Sequence, residues 1–220
     1  MIYFENVSKF YDYHTVLKSV SFTIEKGEML FITGPSGAGK STLLKLIYKG
    51  ADFDEGEIVV GNYKLSQIRT SEIPNYRKNI GIVFQDFKLL KNLSVYNNVA
   101  LALRIRGLSE REIKARVSEV LKRVNLRHLA ESNPMALSGG EQQRIVIARA
   151  VVAEPQIILA DEPTGNLDPN TSIDIINLLK DINLNGSTII IATHSPELFK
   201  DTGKRVLKID ASKIVREMKG

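Results

Sequence analysis

The sequence predicts an α/β fold with a central, mainly parallel sheet, an antiparallel β edge layer and an inserted α-helical lobe. Three observations predict it. Apolar runs of strand length recur between helical patterns, a glycine-rich loop follows one of these runs, and the middle of the chain is helical. With 220 residues, of which 43% are hydrophobic, the chain is long enough for one domain with a sizeable core.

Strands of the central sheet are predicted from short, nearly all-apolar runs, because parallel strands covered on both faces have this composition. These runs lie at residues 29–33, 157–160 and 188–193. A helix is predicted over residues 41–49, directly after the glycine loop. The antiparallel layer is predicted from residues 3–7, 20–24 and 57–60. A polar turn between residues 205–209 and 214–216 predicts a terminal hairpin.

The helical lobe is predicted from the periodicity that begins at Ser109. Apolar residues then recur on one helical face, at Ile113, Val117, Val120, Leu121 and Val124. Ser109 and Glu112 also form a capping-box signature at the start of this helix. We therefore expect a single nucleotide-binding domain over residues 1–220, with an α/β core of residues 1–87 and 151–220 and a helical lobe of about residues 88–150.

Composition excludes several classes of protein. The chain has no cysteine, which rules out disulfides, thiolate metal sites and thiol nucleophiles. Its net charge of +5 comes from interspersed charges, which indicates a solvated surface of mixed sign and predicts no nucleic-acid partner. No run approaches the roughly 18 apolar residues that span a bilayer, and no secretion signal is recognisable. We expect a cytoplasmic protein whose membrane role, if any, requires a partner that spans.

The glycine loop GPSGAGKST at residues 34–42 fits the phosphate-binding motif in its required context of strand before and helix after. Main-chain N–H groups and the helix N-terminus attract phosphate. Lys40 is expected to reach the β- and γ-phosphates, Ser41 to bind Mg²⁺, and Thr42 to lie near the α- and β-phosphates. The predicted nucleotide-binding residues are Gly34, Pro35, Ser36, Gly37, Ala38, Gly39, Lys40, Ser41 and Thr42.

A second acidic motif follows the apolar run at residues 157–160. A carboxylate at the end of a buried strand is costly unless it is paired or linked to a metal. Asp161 is therefore expected to hold Mg²⁺ through water, and Glu162 to polarise the water that attacks the γ-phosphate. The alternative is an acidic cap between strand and loop.

LSGGEQQR at residues 137–144, just upstream of the acidic motif, resembles the signature of the ATP-binding cassette (ABC) superfamily residue for residue. The resemblance implies an ATPase that forms an ATP-dependent homodimer. In such a dimer Ser138, Gly139, Gly140 and Glu141 close on the ATP of the second subunit. The alternative for these residues is a serine helix cap followed by a Gly-Gly turn.

The resemblance extends to positions outside these motifs. It implies that Gln85 touches Mg²⁺ and the attacking water, and that His194 contacts the γ-phosphate. It also implies that Asn166, Leu167 and Asp168 form the loop that links the two sites across the dimer.

Tyr11 lies where the superfamily stacks an aromatic ring on adenine, although Phe10 and Tyr13 compete for this position.

Two departures from the family pattern occur: Ser195 follows His194 where aspartate is common, and residues 48–50 replace the usual small helix end. Neither departure touches a required catalytic atom, so we still expect ATP binding and hydrolysis.

Several stretches resemble the cell-division branch of the superfamily, among them EIPNYRK and LLKNLSVYNNVALAL. This resemblance implies an FtsX-like integral membrane partner, which would hold the protein at the inner face of the membrane and transmit dimer closure to peptidoglycan hydrolysis outside. Candidates for the partner's groove, with the lobe core as the alternative, are Phe84, Phe87, Leu89, Leu90 and Tyr96.

Three other functions remain open on the sequence. Lipoprotein-release and MacB-type exporters share the same site chemistry and differ only in the membrane partner. DNA-maintenance and ribosome-binding ATPases also carry the signature, but the insertions, zinc modules or second cassette typical of them are missing from this sequence. A nucleotide-gated scaffold with slow turnover is the third possibility.

Overall fold

The central sheet carries the elements that build the site. The computed structural model describes residues 1–220. Its strands are β1 (Ile2–Tyr11), β2 (His14–Ile24), β3 (Met29–Thr33), β4 (Glu55–Val60), β5 (Tyr63–Lys64), β6 (Ile80–Val83), β7 (Ile157–Asp161), β8 (Thr188–Ala192), β9 (Arg205–Asp210) and β10 (Lys213–Lys219). Its α-helices are α1 (Lys40–Ile47), α2 (Ile73–Arg77), α3 (Val95–Ile105), α4 (Glu110–Arg123), α5 (Gly139–Val151) and α6 (Pro169–Leu184).

Six strands form the central sheet in the order β10-β9-β3-β8-β7-β6. Neighbours from β9 to β6 are parallel, and β10 pairs antiparallel with β9 as the predicted terminal hairpin. All residues of β3 and β8 are buried, which confirms the prediction of central strands covered on both faces. The carboxyl ends of β3, β7 and β8 therefore meet at one edge of the sheet, where α/β proteins bind ligands.

The antiparallel layer has the order β2-β1-β4-β5 and confirms the predicted edge layer, with strands longer than predicted. Its inner face packs with helix α1 and one face of the central sheet in a shared apolar cluster, which includes Ile2, Phe4, Leu30, Leu43 and Leu159. Helix α1, which follows the glycine loop, is therefore fixed between two sheets.

Helix α1 begins one residue before the predicted range of 41–49 and ends two residues earlier than predicted. Gly39 in the left-handed region caps its start. At its end Lys49 has a φ of 58°, which breaks the helix. Arg77 then donates from Nε to the Tyr48 carbonyl and from Nη2 to the Lys49 carbonyl, so the end of the helix is satisfied by a side chain from α2.

Helices α3, α4 and α5 lie between β6 and β7 in the chain. The predicted capping box of α4 is present, since the Ser109 hydroxyl accepts from the Glu112 main chain. These helices share one apolar cluster with the second face of the central sheet, which joins Val117 and Ile145 to Phe31 and Ile158. The division into a core and a lobe at residues 88 and 150 stays a prediction. No helix in the protein combines the length and apolar character needed to cross a membrane.

Candidate functional site

The glycine loop connects β3 to α1, and its backbone explains why glycine is needed there. Gly34, Gly37 and Gly39 have φ values of 153°, 78° and 101°, a region that L side chains rarely adopt. A Cβ on Gly34 would lie 2.2 Å from the Ile209 carbonyl oxygen, and one on Gly39 would lie 2.9 Å from the Val16 carbonyl oxygen. The loop thus folds tightly against β9 and β2.

The loop opens onto a cavity of about 720 Å³. The cavity brings together residues from five separate parts of the sequence: Tyr11, Val16, Pro35, Ser36, Gly37, Gly39, Lys40, Ser41, Thr42, Gln85, Glu162 and His194. Tyr11 is its aromatic residue, whereas the competing Phe10 and Tyr13 do not line it. Gly34 and Ala38 shape the loop without lining the cavity, and Val16 is a lining residue that the sequence analysis missed.

Lys40 lines this cavity and has only 7% of its surface exposed. Its Nζ donates to the Gly34 carbonyl at 2.8 Å and to the Pro35 carbonyl at 3.1 Å. It also lies 3.8 Å from Oε1 of Glu162. The ammonium is therefore held by acceptors that anionic phosphate oxygens can replace, since charge-assisted hydrogen bonds are the stronger ones.

Asp161 and Ser41 form the oxygen-rich side of the site. The Ser41 hydroxyl donates to Oδ1 of Asp161 at 2.9 Å. Burial raises the pKa of Asp161, and the Ser41 hydrogen bond opposes that shift. Serine hydroxyl, carboxylate and the Gln85 amide supply the hard oxygen donors that Mg²⁺ prefers. No group of three or more acidic or histidine side chains is placed to hold a metal ion.

The side chains of Glu162, just after β7, and His194, just after β8, are in direct contact. The His194 ring lies with Nδ1 2.9 Å from Oε1 of Glu162, and the His194 main chain donates to Oε2 at 3.3 Å. Glu162 has a φ of 46°, a left-handed conformation that costs a non-glycine residue about 1–3 kcal/mol. The main-chain N–H of Glu162 donates to the Ala192 carbonyl at 2.9 Å. The Glu162 side chain is therefore held by a strained backbone and by two contacts with His194.

The signature residues lie outside the cavity and begin helix α5. Ser138 is its N-cap, because its hydroxyl accepts from the Glu141 main chain and its own N–H donates to the Glu141 carboxylate at 2.8 Å. Hydrogen bonds from Ser138 lower the pKa of Glu141. The predicted serine cap is therefore present, but Gly139 and Gly140 form the first turn of α5 and not a Gly-Gly turn, so both lie at a positively polarised helix end.

The loop at residues 166–168 connects the site to α6. Asn166 lines a second cavity next to the first, together with Gln85 and Asp161. A Cβ on Gly139 would meet the Leu167 side chain at 3.4 Å, so this loop lies against the signature of its own chain. Asp168 is the N-cap of α6, accepting from the Thr171 main chain at 3.0 Å, and hydrogen bonds from Thr171 lower its pKa.

The five candidates for the partner's groove have different environments. Phe84 is partly buried and lines the second cavity, beside Gln85. Leu89 is buried at 8% exposure and belongs to the core, so the groove interpretation is wrong for this residue. Phe87 and Tyr96 are partly buried against the same core cluster. Leu90 is 43% exposed. Its main-chain N–H donates to Oδ1 of Asn98, and its carbonyl accepts from Nδ2 of Asn98. Periodicity could not separate these cases, because adjacent residues in a loop have no regular facing.

A phosphate loop on a parallel sheet, paired acidic residues, a histidine at the next strand end and an LSGGEQQR helix start define an ATPase of the ATP-binding cassette class. The ABC transporter family profile matches residues 17–165, and the chain belongs to this family. It is an ATPase subunit of an ABC system.

The curated relatives are close and nearly collinear with this chain. It is 46% identical over 96% of its length to the cell division ATP-binding protein FtsE of Streptococcus pneumoniae, covering 92% of that protein. It is 48% identical over 91% of its length to FtsE of Bacillus subtilis, covering 88% of it. The methionine import ATP-binding protein MetN of Clostridium acetobutylicum is 45% identical over 97% of this chain, which covers only 67% of MetN.

Solved structures show the same fold. A dimeric ATP-binding cassette in a post-hydrolysis state bound to ADP and Pi superposes with a TM-score of 0.90 at 37% identity, covering 100% of this chain and 98% of the other. A second dimeric structure of that same cassette, described as a bacterial ABC transporter cassette, gives a TM-score of 0.90 at 38% identity, with the same coverage. These matches confirm the predicted fold class.

Proposed function

We propose that this protein is the ATP-hydrolysing subunit of an FtsEX-type cell-division complex. In this proposal, ATP-driven closure of a homodimer is transmitted through an FtsX-like membrane protein to control peptidoglycan hydrolysis. The observation that carries it is near full-length similarity to FtsE proteins of two organisms, combined with an intact hydrolytic site. The protein would then work in the cytoplasm, peripheral to the membrane.

Each side chain of the site has a role in the proposed reaction. The glycine loop and Lys40 bind the β- and γ-phosphates, and Tyr11 stacks on adenine. Glu162 accepts a proton from the attacking water, while His194 orients Glu162 and contacts the γ-phosphate.

Mg²⁺ is the cation that the site's oxygen donors suit, with Ser41, Gln85 and Asp161 as the residues that would hold it. When bound, it would neutralise charge on the phosphates.

The proposed dimer follows from the location of the signature. Ser138, Gly139, Gly140 and Glu141 do not line the cavity of their own chain, yet they form a helix start suited to anions. In the head-to-tail sandwich, this helix start and the loop at residues 166–168 would meet the ATP of the second subunit. Two dimeric structures of one cassette with the same fold support this arrangement.

For the membrane partner we propose a cleft of about 270 Å³ between α2, the edge strand β6 and the ends of α3 and α5. Its charged lining residues are Arg77, Lys78, Arg106 and Arg149, with no acidic residue among them. Ile105 at its rim is 70% exposed. A basic cleft with an exposed apolar rim suits an acidic, amphipathic cytoplasmic segment of the partner.

Ile105→Asp is expected to abolish co-purification with the membrane partner while leaving ATP affinity unchanged. The acidic side chain removes apolar contact area at the rim of the proposed cleft and is solvated in the free protein, so folding is preserved. Leu184→Asp is the matched control, because Leu184 is 80% exposed at the end of α6 and lies outside the cleft. Equal retention of the partner by both variants would remove this cleft from the proposal.

The alternative function is that of a lipoprotein-release or MacB-type exporter ATPase, and the MetN similarity adds methionine import as a further case. Depletion of the protein separates these functions. We expect depleted cells to fail in division or cell separation, with wild-type protein restoring it and Glu162→Gln failing to do so. Normal division combined with mislocalised lipoproteins or lost methionine uptake would refute the cell-division proposal.

A further inference from the structure

The segment after Gln85 has an unusual backbone. Phe87 and Lys88 both lie in the left-handed region, with φ values of 54° and 48°. Neither is glycine, and two consecutive left-handed residues with a Cβ are rare because each is disfavoured sterically. Such a turn persists only when surrounding contacts impose it.

The Arg149 side chain supplies two hydrogen bonds to this turn from a distant part of the chain. Arg149 donates from Nη1 to the Lys88 carbonyl at 2.7 Å and from Nη2 to the Phe87 carbonyl at 2.8 Å. The two parallel donors of a guanidinium match two successive carbonyls, a geometry that a single ammonium cannot reproduce. Arg149 forms no ion pair with a carboxylate. Its guanidinium is therefore hydrogen-bonded to these two carbonyls instead.

The Phe87–Lys88 turn and Arg149 connect the nucleotide cavity to the signature helix α5. Gln85, two residues before the turn, lines both the nucleotide cavity and the neighbouring cavity that contains Asp161. Arg149 belongs to the last turn of α5, and the N-cap of the same helix is Ser138 of the signature. A rigid helix therefore joins the signature to the backbone that carries Gln85.

We propose that Arg149 is a positioning residue for ATP hydrolysis, which holds the left-handed Phe87–Lys88 turn and thereby sets Gln85 at the phosphate end of the nucleotide cavity. The inference rests on the proposed role of Gln85. Since the guanidinium is attached to the signature helix, movement of α5 on dimer closure would be transmitted to Gln85 through these two hydrogen bonds.

Arg149→Gln is expected to lower kcat for ATP about tenfold with KM for ATP changed less than about threefold, since misplacing a positioning group costs rate more than ground-state binding. Arg149→Lys should be nearly as impaired, because it keeps the charge but loses the two-pronged contact. Arg106→Gln is the matched control, and kcat is measured on the protein without its membrane partner, because Arg106 lines the cleft proposed for that partner. Arg106 also bridges two carbonyls, of Ala153 at 2.7 Å and of Lys78, but neither belongs to the Gln85 segment.

Two double variants separate positioning from a general loss of stability. In a Gln85→Ala background, Arg149→Gln should lower kcat no further, because both act through the same group. Lys88→Asn should restore part of the kcat of Arg149→Gln, since asparagine tolerates the left-handed region better than lysine. Thermal unfolding is measured for every variant, and we expect Arg149→Gln and Arg106→Gln to lose similar stability.

Three outcomes would overturn the inference. In the first, Arg149→Gln lowers kcat no more than Arg106→Gln does. In the second, the effects of Arg149→Gln and Gln85→Ala on kcat multiply fully in the double variant. This result would exclude Arg149 as a positioning residue for Gln85 but leave the proposed role of Gln85 in place. In the third, Gln85→Ala itself leaves kcat unchanged, which removes both the role of Gln85 and the positioning that depends on it.

Discussion

Glu162→Gln is expected to reduce ATP hydrolysis by about 10²–10⁴-fold while retaining bound ATP. Glutamine has the shape of glutamate and can still accept from His194, whose Nδ1 lies 2.9 Å from Oε1, but it cannot take a proton from water. The Glu162 carboxylate lies 3.8 Å from the Lys40 ammonium and competes with the ATP phosphates for it. The substitution removes this competing negative charge. ATP should therefore stay bound and hold the dimer closed.

Three measurements check this expectation: phosphate release at steady state, ATP affinity by equilibrium dialysis, and mass by light scattering with about 1 mM ATP, near the upper end of ordinary KM values. Glu197→Gln is the matched control, since Glu197 is exposed three residues beyond His194 and does not line the cavity. Unchanged hydrolysis would exclude Glu162 as the base. A monomer in the presence of ATP would contradict the sandwich dimer.

Lys40→Ala is expected to weaken ATP binding by about 10–100-fold, the equivalent of losing one or two charge-assisted hydrogen bonds. Lys40 is a buried cation in the glycine loop, and the Glu162 carboxylate beside it would otherwise repel phosphate. The loop's N–H groups remain, so residual binding should persist at high nucleotide concentration.

The measurement is a titration with a fluorescent ATP analogue, accompanied by thermal unfolding without nucleotide. Lys122→Ala serves as the control, because Lys122 is an exposed lysine of α4 and lines neither the nucleotide cavity nor the cavity beside it. If the two variants bound ATP equally well, Lys40 would have no part in phosphate binding. A loss of binding that merely followed a loss of stability would point to folding instead.

Local patterns predicted much of the fold. The strands β3, β7 and β8 could be recognised because strands buried on both faces are almost entirely apolar. The start of α4 could be placed because a capping box is a short-range pattern. The end of α1 was predicted two residues too late, since its stop depends on Lys49 and on Arg77 from another helix.

The groove candidates show where such patterns fail. Leu89 and Leu90 are identical and adjacent in the sequence, yet one is in the core and the other is exposed. Arg149 gave no signal at all, because its partners are main-chain carbonyls about sixty residues away, which no side-chain pattern reveals.

Residue types in local order are enough to predict the class of protein: a phosphate loop, paired acidic residues, a strand-end histidine and a signature at fixed spacing. How these residues are held could be seen only in the folded protein. The fold gave Glu162 a left-handed backbone against His194, made Ser138 and Asp168 helix caps, and placed the Arg149 guanidinium on the turn after Gln85. The physical reason is that reactivity depends on residue types in local order, whereas position and strain depend on contacts between residues far apart in the chain.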